Sequence, residues 1–396
     1  MKCYNDDVFK KGINEKEVEV MKKAIIAMDG GGSNLRLVVV DSETEKELYS
    51  EEVNTGTNLT TVPNREEALE NIRRLIKNGY AAIPKEYTIV GVALSSAGTE
   101  IADNVRDLNK ALEEAVSNQE VKPELFITND IDILLHSSDI ALVAGTGTVA
   151  AVKYRDIKSY DNTDEIPEEV IDKLDGDGQF VGDKGSGYWI ATEALTKVGQ
   201  IEKTGYYINH EGKIVKADKY DCLLRKLVFE KLLTELGYSK EVIDKVNKTS
   251  LKQQGLPDYI AIVYGATTVN GREYDRAKVG SMFGAMVNEA AKYGDEVSND
   301  ILESASQALF KNIVAAYDIG GFGEPKTARP CNILLSGSVL TKSDVVRYNL
   351  MRKIKERYPY GVYVSVNKEK PVMSTVKYVK SKLEPKQKTV DAYDER

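Results

Sequence analysis

The sequence predicts an α/β protein in which one fold is built twice along the chain. The stretch AMDGGGSNLRLVVV at residues 27–40 has the pattern of a strand, a glycine-rich turn and a second strand. The stretch ALVAGTGTVAAVKY at residues 141–154 repeats that layout. Further buried strands and amphipathic helices follow each stretch, as in layered α/β domains. These observations indicate a duplicated fold with two glycine hairpins.

In the first half of the chain, the sequence predicts three strands followed by a helix, a strand and a second helix. The helix near residue 65 follows Pro63-Asn64, and its apolar residues recur three and four positions apart. The predicted strands are Ala24–Met28, Leu35–Val40, Glu47–Val53 and Tyr87–Leu94, and the predicted helices are Arg65–Lys77 and Ile101–Val116.

The pattern then begins again. The acidic, polar segment Arg155–Gly176 is interpreted as an exposed loop with one helical turn after Pro167, a solvated insertion rather than a lid. The predicted strands are Glu124–Thr128, Ile140–Val143, Val149–Tyr154, Asn332–Leu335 and Val362–Val366. The predicted helices are Ile131–His136, Asp221–Leu236, Lys278–Tyr293, Ser298–Tyr317, Val345–Arg357 and Met373–Leu383.

Composition excludes several classes of protein. A net charge of −8 without a basic stripe argues against a nucleic-acid partner. The apolar runs are too short to span a membrane, and the charged first 22 residues lack a secretory signal, so we expect no membrane association. Cys3, Cys222 and Cys331 are far apart and show no CxxC spacing, which predicts a reducing cytoplasm and no structural zinc site.

The glycines at 30–32 are not those of a Rossmann fold or a P-loop, because both motifs open a helix and here a strand follows. A hairpin of this kind can still bind phosphate through its backbone N–H groups. Ser33 and Asn34 add side-chain donors, and Asp29 suits Mg²⁺ held through water. The alternative is a tight turn whose glycines serve only the backbone.

The order DGGG, ND, AGTG, GDxGSGYWI and SGS resembles the acetate and sugar kinase/Hsp70/actin superfamily. Within it, the chain resembles the N-acetylglucosamine kinase / BadF/BadG/BcrA/BcrD-type ATPase family from Ala24 to Leu383. The most specific pieces are GDKGSGYWIATEAL at 182–195 and AAKYGDEVSNDILESASQAL at 290–309. The resemblance implies two actin-like (ribonuclease H-like) domains of duplicated βββαβαβα topology, with a nucleotide cleft between them.

We therefore expect a polar leader over 1–22, an N-terminal domain over 23–122 and a C-terminal domain over 123–370 with an acidic insertion at 155–176. Residues 371–396 would form a terminal helix that packs back on the N-terminal domain, followed by a tail.

The resemblance also implies roles for individual residues. Asp130 falls where sugar kinases keep the catalytic base, although from the residues alone it reads as a helix N-cap before IDILLHSS. Asp132 lies outside the family pattern and is a weaker candidate for the base than Asp130. Asp29 is the implied Mg²⁺ anchor. The implied ATP-binding residues are Gly30, Gly31, Gly32, Ser33, Asn34, Gly145, Thr146, Gly147, Thr148, Gly337 and Ser338. The implied sugar-binding residues are Thr57, Asn58, Ser95 and Asp183.

These implications favour an ATP- and Mg²⁺-dependent kinase that phosphorylates an amino sugar. Its sugar stays open, because Val149 and Lys184 depart from N-acetylglucosamine kinases on the substrate side. One alternative is a BadF/BcrA-type ATPase that energises a partner reductase and needs cysteine ligands for an iron–sulfur cluster. Another is a nucleotide-binding regulator without turnover. The family habit makes a homodimer a further expectation.

Overall fold

The computed structural model of the protein describes residues 21–31, 34–60, 62–155, 169–176, 178, 181–269, 272–273, 276–323 and 329–384. The chain divides into two compact units. The first comprises Met1–Ile127 with Thr375–Arg396, and the second comprises Thr128–Ser374. The predicted leader lies outside the described residues up to residue 20. No helix in the described ranges is long and apolar enough to cross a membrane.

A five-stranded mixed sheet forms the first unit. Its strands are β1 Lys22–Gly30, β2 Leu35–Asp41, β3 Glu47–Val53, β4 Tyr87–Ser96 and β5 Glu124–Thr128, in the order β3-β2-β1-β4-β5. Strand β1 pairs antiparallel with β2 and parallel with β4. Its residues Ala24–Met28 are fully buried, as their unbroken apolar run requires.

Two helices cover this sheet, α1 Arg65–Ala82 and α2 Ala102–Val116. Helix α1 begins where the sequence predicts, because the Asn64 side chain accepts a hydrogen bond from the N–H of Glu67 at 3.2 Å. Its apolar face, including Ile72 and Leu75, is buried in one core with Leu112 of α2.

The strands of the second unit are β6 Ile140–Ala144, β7 Thr148–Arg155, β8 Glu169–Asp175, β9 Tyr206–Ile208, β10 Ile214–Lys216, β11 Thr268–Val269, β12 Arg272–Glu273, β13 Cys331–Ser336 and β14 Val362–Val366. Five of them form its main sheet, in the order β14-β13-β6-β7-β8. Its helices are α3 Gly187–Thr204, α4 Leu223–Glu235, α5 Lys240–Val246, α6 Tyr259–Thr267, α7 Arg276–Val279, α8 Ala285–Lys292, α9 Glu296–Ile319, α10 Ser338–Lys342 and α11 Asp344–Arg357.

Read from β8 towards β14, this sheet has the same topology as the first. Strands β6, β7 and β8 correspond to β1, β2 and β3, and β13 and β14 correspond to β4 and β5. Each sheet therefore places a glycine turn between its central strand and the antiparallel neighbour. The predicted duplicated α/β fold is confirmed.

Two local predictions are wrong. Part of the segment interpreted as a loop, Glu169–Asp175, is the edge strand β8, paired antiparallel with β7; residues 156–168 lie outside the described ranges. The single helix predicted at Lys278–Tyr293 is interrupted by a π-helical turn at Gly280–Gly284. Gly280 and Gly284 lie so close to the Gly187 backbone that side chains there would crowd it.

A final helix, α12 Pro371–Leu383, contacts the first unit. Lys380 Nζ lies 2.7 Å from Glu45 Oε1, and the rings of Tyr378 and Phe126 meet edge to face at 6.1 Å. Gly91 of β4 lies against Val379, where a Cβ atom would come within 2.8 Å of the valine side chain.

Candidate functional site

The first glycine turn joins β1 to β2, and Thr57 supports it from behind. A Cβ atom on Gly30 would overlap the Thr57 hydroxyl, whereas one on Gly31 would meet nothing within 4 Å. The N–H of Thr57 donates to the Gly31 carbonyl at 3.0 Å. The Thr57 hydroxyl, fully buried, lies 2.7 Å from that of Ser96. Close packing against Thr57 thus requires glycine at position 30, whereas no such packing requires it at position 31. Gly32 and Ser33 lie outside the described residues.

Three further predicted residues lie around this turn. Asp29, half-buried at the end of β1, is paired in register with Ser95 of β4. Ser95 is fully buried, and its hydroxyl has no hydrogen-bond partner among the described residues. Asn58 packs on Gly98, where a Cβ atom would come within 2.5 Å of the Asn58 Oδ1 atom. The first unit therefore brings Asp29, Asn58 and Ser95 together beside its glycine turn, whereas the predicted sugar residue Asp183 lies in the second unit.

Asn34 lies on the exposed side of the same turn. Its amide donates to Glu52 Oε1 at 2.9 Å, and Arg36 forms an ion pair with the same carboxylate. The Asn34 hydrogen bond and the Arg36 charge hold the pKa of Glu52 below its usual value. In this structure the Asn34 amide is thus engaged by β3.

The second glycine turn joins β6 to β7. The N–H of Gly145 donates to the Gly147 carbonyl at 2.9 Å, and the Gly145 carbonyl accepts from the N–H of Gly187 at 2.7 Å. A Cβ atom on Gly145 would again meet nothing within 4 Å. Thr146 is exposed, whereas the buried Thr148 hydroxyl has no hydrogen-bond partner among the described residues. The space beside Gly145 is therefore open, while its N–H and its carbonyl are both bonded within the protein.

Asp183 and Gly337 lie beside this second turn. The buried Asp183 carboxylate accepts from the N–H of Thr148 at 2.7 Å. Gly337 has a φ of 92°, and a Cβ atom there would overlap the Ala144 carbonyl. Ser338 is the first residue of α10 and Gly337 precedes it as the N-cap. Gly337 therefore makes the turn between β13 and α10.

Asp130 lies two residues beyond β5 and is half-buried. The 3₁₀-helix that follows, Asp132–His136, has Ile131 at its N-cap, and the side chain of Asn129 accepts the Ile131 N–H at 3.1 Å. The interpretation of Asp130 as an N-cap is therefore wrong. Asp132 Oδ1 lies 3.4 Å from Lys173 Nζ, an ion pair within the second unit.

Comparison with known families now adds to this geometry. A model of the BadF/BadG/BcrA/BcrD ATPase family matches residues 26–373. The chain belongs to the BadF/BadG/BcrA/BcrD ATPase family. A search of curated proteins finds no match.

Solved structures resemble this BadF/BadG/BcrA/BcrD family member in fold. A proposed N-acetylglucosamine kinase from Chromobacterium violaceum has a TM-score of 0.56 at 14% identity, over 90% of this chain and 98% of that one. A ROK family glucokinase from Streptomyces griseus, solved with glucose and AMPPNP, has a TM-score of 0.47 at 15% identity, over 90% and 98% of the two chains.

The structure adds residues of this family member that the sequence did not reveal. Ser96, Asp175 and Gly187 each support a glycine turn or its neighbour through contacts distant in sequence. Only the duplicated pattern could have pointed to Asp175, because a third strand was to be expected after β7. Within the part of the chain that the structure describes, no cluster of three or more His, Cys, Asp or Glu side chains could hold a metal ion.

Proposed function

We propose that this protein is an ATP-dependent kinase that transfers the γ-phosphoryl group of ATP to a hydroxyl of an amino sugar resembling N-acetylglucosamine. One observation carries the proposal. Both units place a glycine turn at the same point of the same topology, and a buried polar side chain, Thr57 or Asp183, backs each turn. A hairpin that served only chain reversal would not need such support on both sheets.

The residues at the turns fit ATP. Gly31 and Gly145 leave open space where a side chain would stand, which gives a phosphate chain room beside each turn. The N–H of each glycine is bonded within its own turn, to the Asn34 carbonyl at 3.0 Å and to the Gly147 carbonyl at 2.9 Å. The unpartnered Thr148 hydroxyl adds a polar group behind the second turn. In the proposal the phosphates are held by Gly30, Gly31, Gly32, Ser33, Gly145, Thr146, Gly147 and Thr148, and the nucleoside lies at Gly337 and Ser338. The Asn34 amide is left out, because it donates to Glu52. Bound ATP would supply the phosphoryl group, and Asp29 would hold a Mg²⁺ ion, which would neutralise charge on the phosphates.

The sugar and the base complete the proposal. Ser95 and Asn58 offer a hydroxyl and an amide beside the first turn, groups that suit the hydroxyls of a sugar. Asp130 accepts the proton of the attacking sugar hydroxyl. The oxygen of that hydroxyl forms the new bond to phosphorus as the bond to ADP breaks and ADP leaves. The side chain that accepts the Ile131 N–H of the following helical turn is that of Asn129.

A substrate screen tests the proposal. The full-length protein is incubated with MgATP and each of a panel of amino sugars and hexoses, with ADP release and sugar phosphate measured. We expect ADP release that depends on one amino sugar and matches sugar phosphate in amount. ADP release without any sugar, or nucleotide binding without turnover on any member, would contradict the proposal.

A partner-coupled ATPase is the second candidate, favoured by the family match over 26–373. Such a protein needs cysteines that can ligate an iron–sulfur cluster. Cys222 caps α4 and Cys331 begins β13, and both thiols are buried. Burial raises the pKa of each thiol to about 12, which disfavours the thiolate that iron binds. The kinase is therefore the better supported function, and iron content measures the alternative directly.

A further inference from the structure

Two aspartates beside the second glycine turn have left-handed backbone conformations. Asp175 has a φ of 65° and Asp183 a φ of 63°. Among the described non-glycine residues, only Glu45 also has a positive φ. Such conformations are costly and persist where surrounding contacts hold them. Here the contacts join the two aspartates to each other, because Asp175 Oδ1 accepts the N–H of Asp183 at 2.6 Å.

The carboxylate of Asp183 in turn holds the glycine turn. Its Oδ1 atom accepts the N–H of Thr148 at 2.7 Å, and this bond is buried. The same oxygen would lie 2.7 Å from a Cβ atom on Gly147, so it fills the space that a side chain would need. The carboxylate therefore packs on the turn and also bonds to its backbone.

The segment after Asp183 holds the other end of the turn. The N–H of Gly187 donates to the Gly145 carbonyl at 2.7 Å, and the N–H of Ser186 donates to the Asp183 carbonyl at 3.1 Å. Residues 183–187 thus bond to the turn at Gly145 and at Thr148. The bonds define the shape of the turn on both sides of Gly147.

Asp175 connects this arrangement to a long helix. Its second carboxylate oxygen accepts from the side-chain amide of Asn312 on α9 at 3.1 Å. Its first oxygen also accepts the N–H of Gly176 at 2.9 Å. A continuous series of hydrogen bonds therefore runs from α9 through Asp175 and Asp183 to Thr148.

We propose that Asp183 is a positioning residue for ATP, which fixes the second glycine turn through Thr148, and that Asp175 and Asn312 fix Asp183. This inference rests on one part of the proposed function, the binding of ATP at the second glycine turn. It differs from the sugar contact that family resemblance implies for Asp183, because the carboxylate faces the protein's own backbone. The sugar then depends on Asn58 and Ser95.

Two substitutions of Asp183 separate these roles. Asp183→Asn keeps an oxygen for the Thr148 N–H and tolerates the left-handed backbone, whereas Asp183→Gly removes the oxygen without adding backbone strain. We expect Asp183→Gly to weaken MgATP binding about ten-fold and Asp183→Asn to change it less than about two-fold, as loss of a buried charge-assisted hydrogen bond predicts. Titration calorimetry of the full-length protein measures both.

Hydrogen exchange provides a second readout that needs no turnover. In the absence of nucleotide, the peptide that contains residues 145–150 should exchange faster in Asp183→Gly than in the wild type, and Asp183→Asn should restore protection. Asn312→Ala, at a residue outside the predicted binding set, should weaken MgATP binding about two- to three-fold through Asp175. The matched control is Asp172→Asn on the same strand, whose carboxylate binds the Tyr154 hydroxyl instead; it should leave binding unchanged.

The outcomes distinguish this inference from the proposed function. If the wild type binds no MgATP, the proposed function fails. If the wild type binds and Asp183→Gly binds equally well, the positioning role is overturned while the kinase proposal stands. A rise in the KM for the sugar with unchanged MgATP affinity in Asp183→Gly would assign Asp183 to the sugar and also overturn the positioning role. Should Asp183→Gly fail to fold, Asn312→Ala provides the same comparison.

Discussion

The hydroxyl of Thr57 lies 2.7 Å from the hydroxyl of Ser96, and both side chains are fully buried beneath the first glycine turn. The pair joins the segment after β3 to the end of β4, with Gly30 packed directly on it. The shape of the turn therefore depends on residues more than 25 positions away in sequence.

The first prediction concerns the two glycines of this turn. Gly30→Ala introduces a methyl group that overlaps Thr57, and we expect it to lower the free energy of unfolding by about 1–3 kcal/mol and to weaken MgATP binding. Gly31→Ala is the matched control for stability, because its methyl group meets open space. Urea unfolding and calorimetry measure both variants. Equal stability of the two would contradict the close packing described here.

The second prediction concerns the proposed base. Asp130→Asn should lower the kcat for sugar phosphorylation by about 10²- to 10⁴-fold, as expected for loss of a general base, and leave MgATP affinity unchanged. Asp132→Asn removes only a partner of Lys173 and should change kcat little. Steady-state kinetics with the sugar found in the screen provide the comparison. Comparable losses in both variants would argue against a special role for Asp130.

The third prediction is a pH dependence of stability. Hydrogen bonds to Asp41, foremost from the Thr44 N–H and also from the Tyr87 hydroxyl, lower its pKa to about 2. A lowered pKa in the folded state stabilises the fold above the unfolded value of about 4, and that contribution is lost as the pH falls towards 2. The stability difference between wild type and Asp41→Asn should therefore be constant near neutral pH and shrink from about pH 4 to 2. A pH series of urea unfolding curves tests this, and a constant difference over that range would refute the assignment.

The fourth prediction concerns thiol reactivity. With a pKa of about 12, the buried thiols of Cys222 and Cys331 are protonated at neutral pH and should not react with iodoacetamide in the folded protein. Mass spectrometry of a Cys3→Ser background should show alkylation of both only after unfolding. Rapid modification of either thiol in the native protein, or iron bound in proportion to protein, would instead favour the ATPase alternative.

The spacing of apolar residues in the sequence predicted most strands and helices of the fold. It failed where a strand has the charged composition of a loop and where contacts distant in sequence interrupt a helix. Strand β8 is rich in charge because it is an edge strand with alternate side chains exposed, so it resembled a loop. The repeat would have predicted a third strand there, because β3 follows β2 in the first unit. The π-helical turn at Gly280–Gly284 could not be predicted, since the approach of its two glycines to the Gly187 backbone arises only in the folded chain.

The candidate site also has features that the sequence predicted and features that it did not. The glycine turns were evident from sequence because their residue types have backbone reasons to occur together. The contacts of Thr57 and Asp183 were not, because burial against a glycine depends on segments that meet only in the folded chain. Asn34 shows the same limit: its amide was predicted to face phosphate, and the fold gives it Glu52 as a partner.

The return of α12 to the first unit has a consequence for synthesis on the ribosome. The second unit is one continuous stretch, Thr128–Ser374, whereas the first needs both ends of the chain. While translation proceeds from the N-terminus, the Gly91 face of β4 stays uncovered until Val379 has left the exit tunnel. The unit that begins first along the chain is therefore the last to be completed, and its β4 strand is covered at Gly91 only once Val379 is in place.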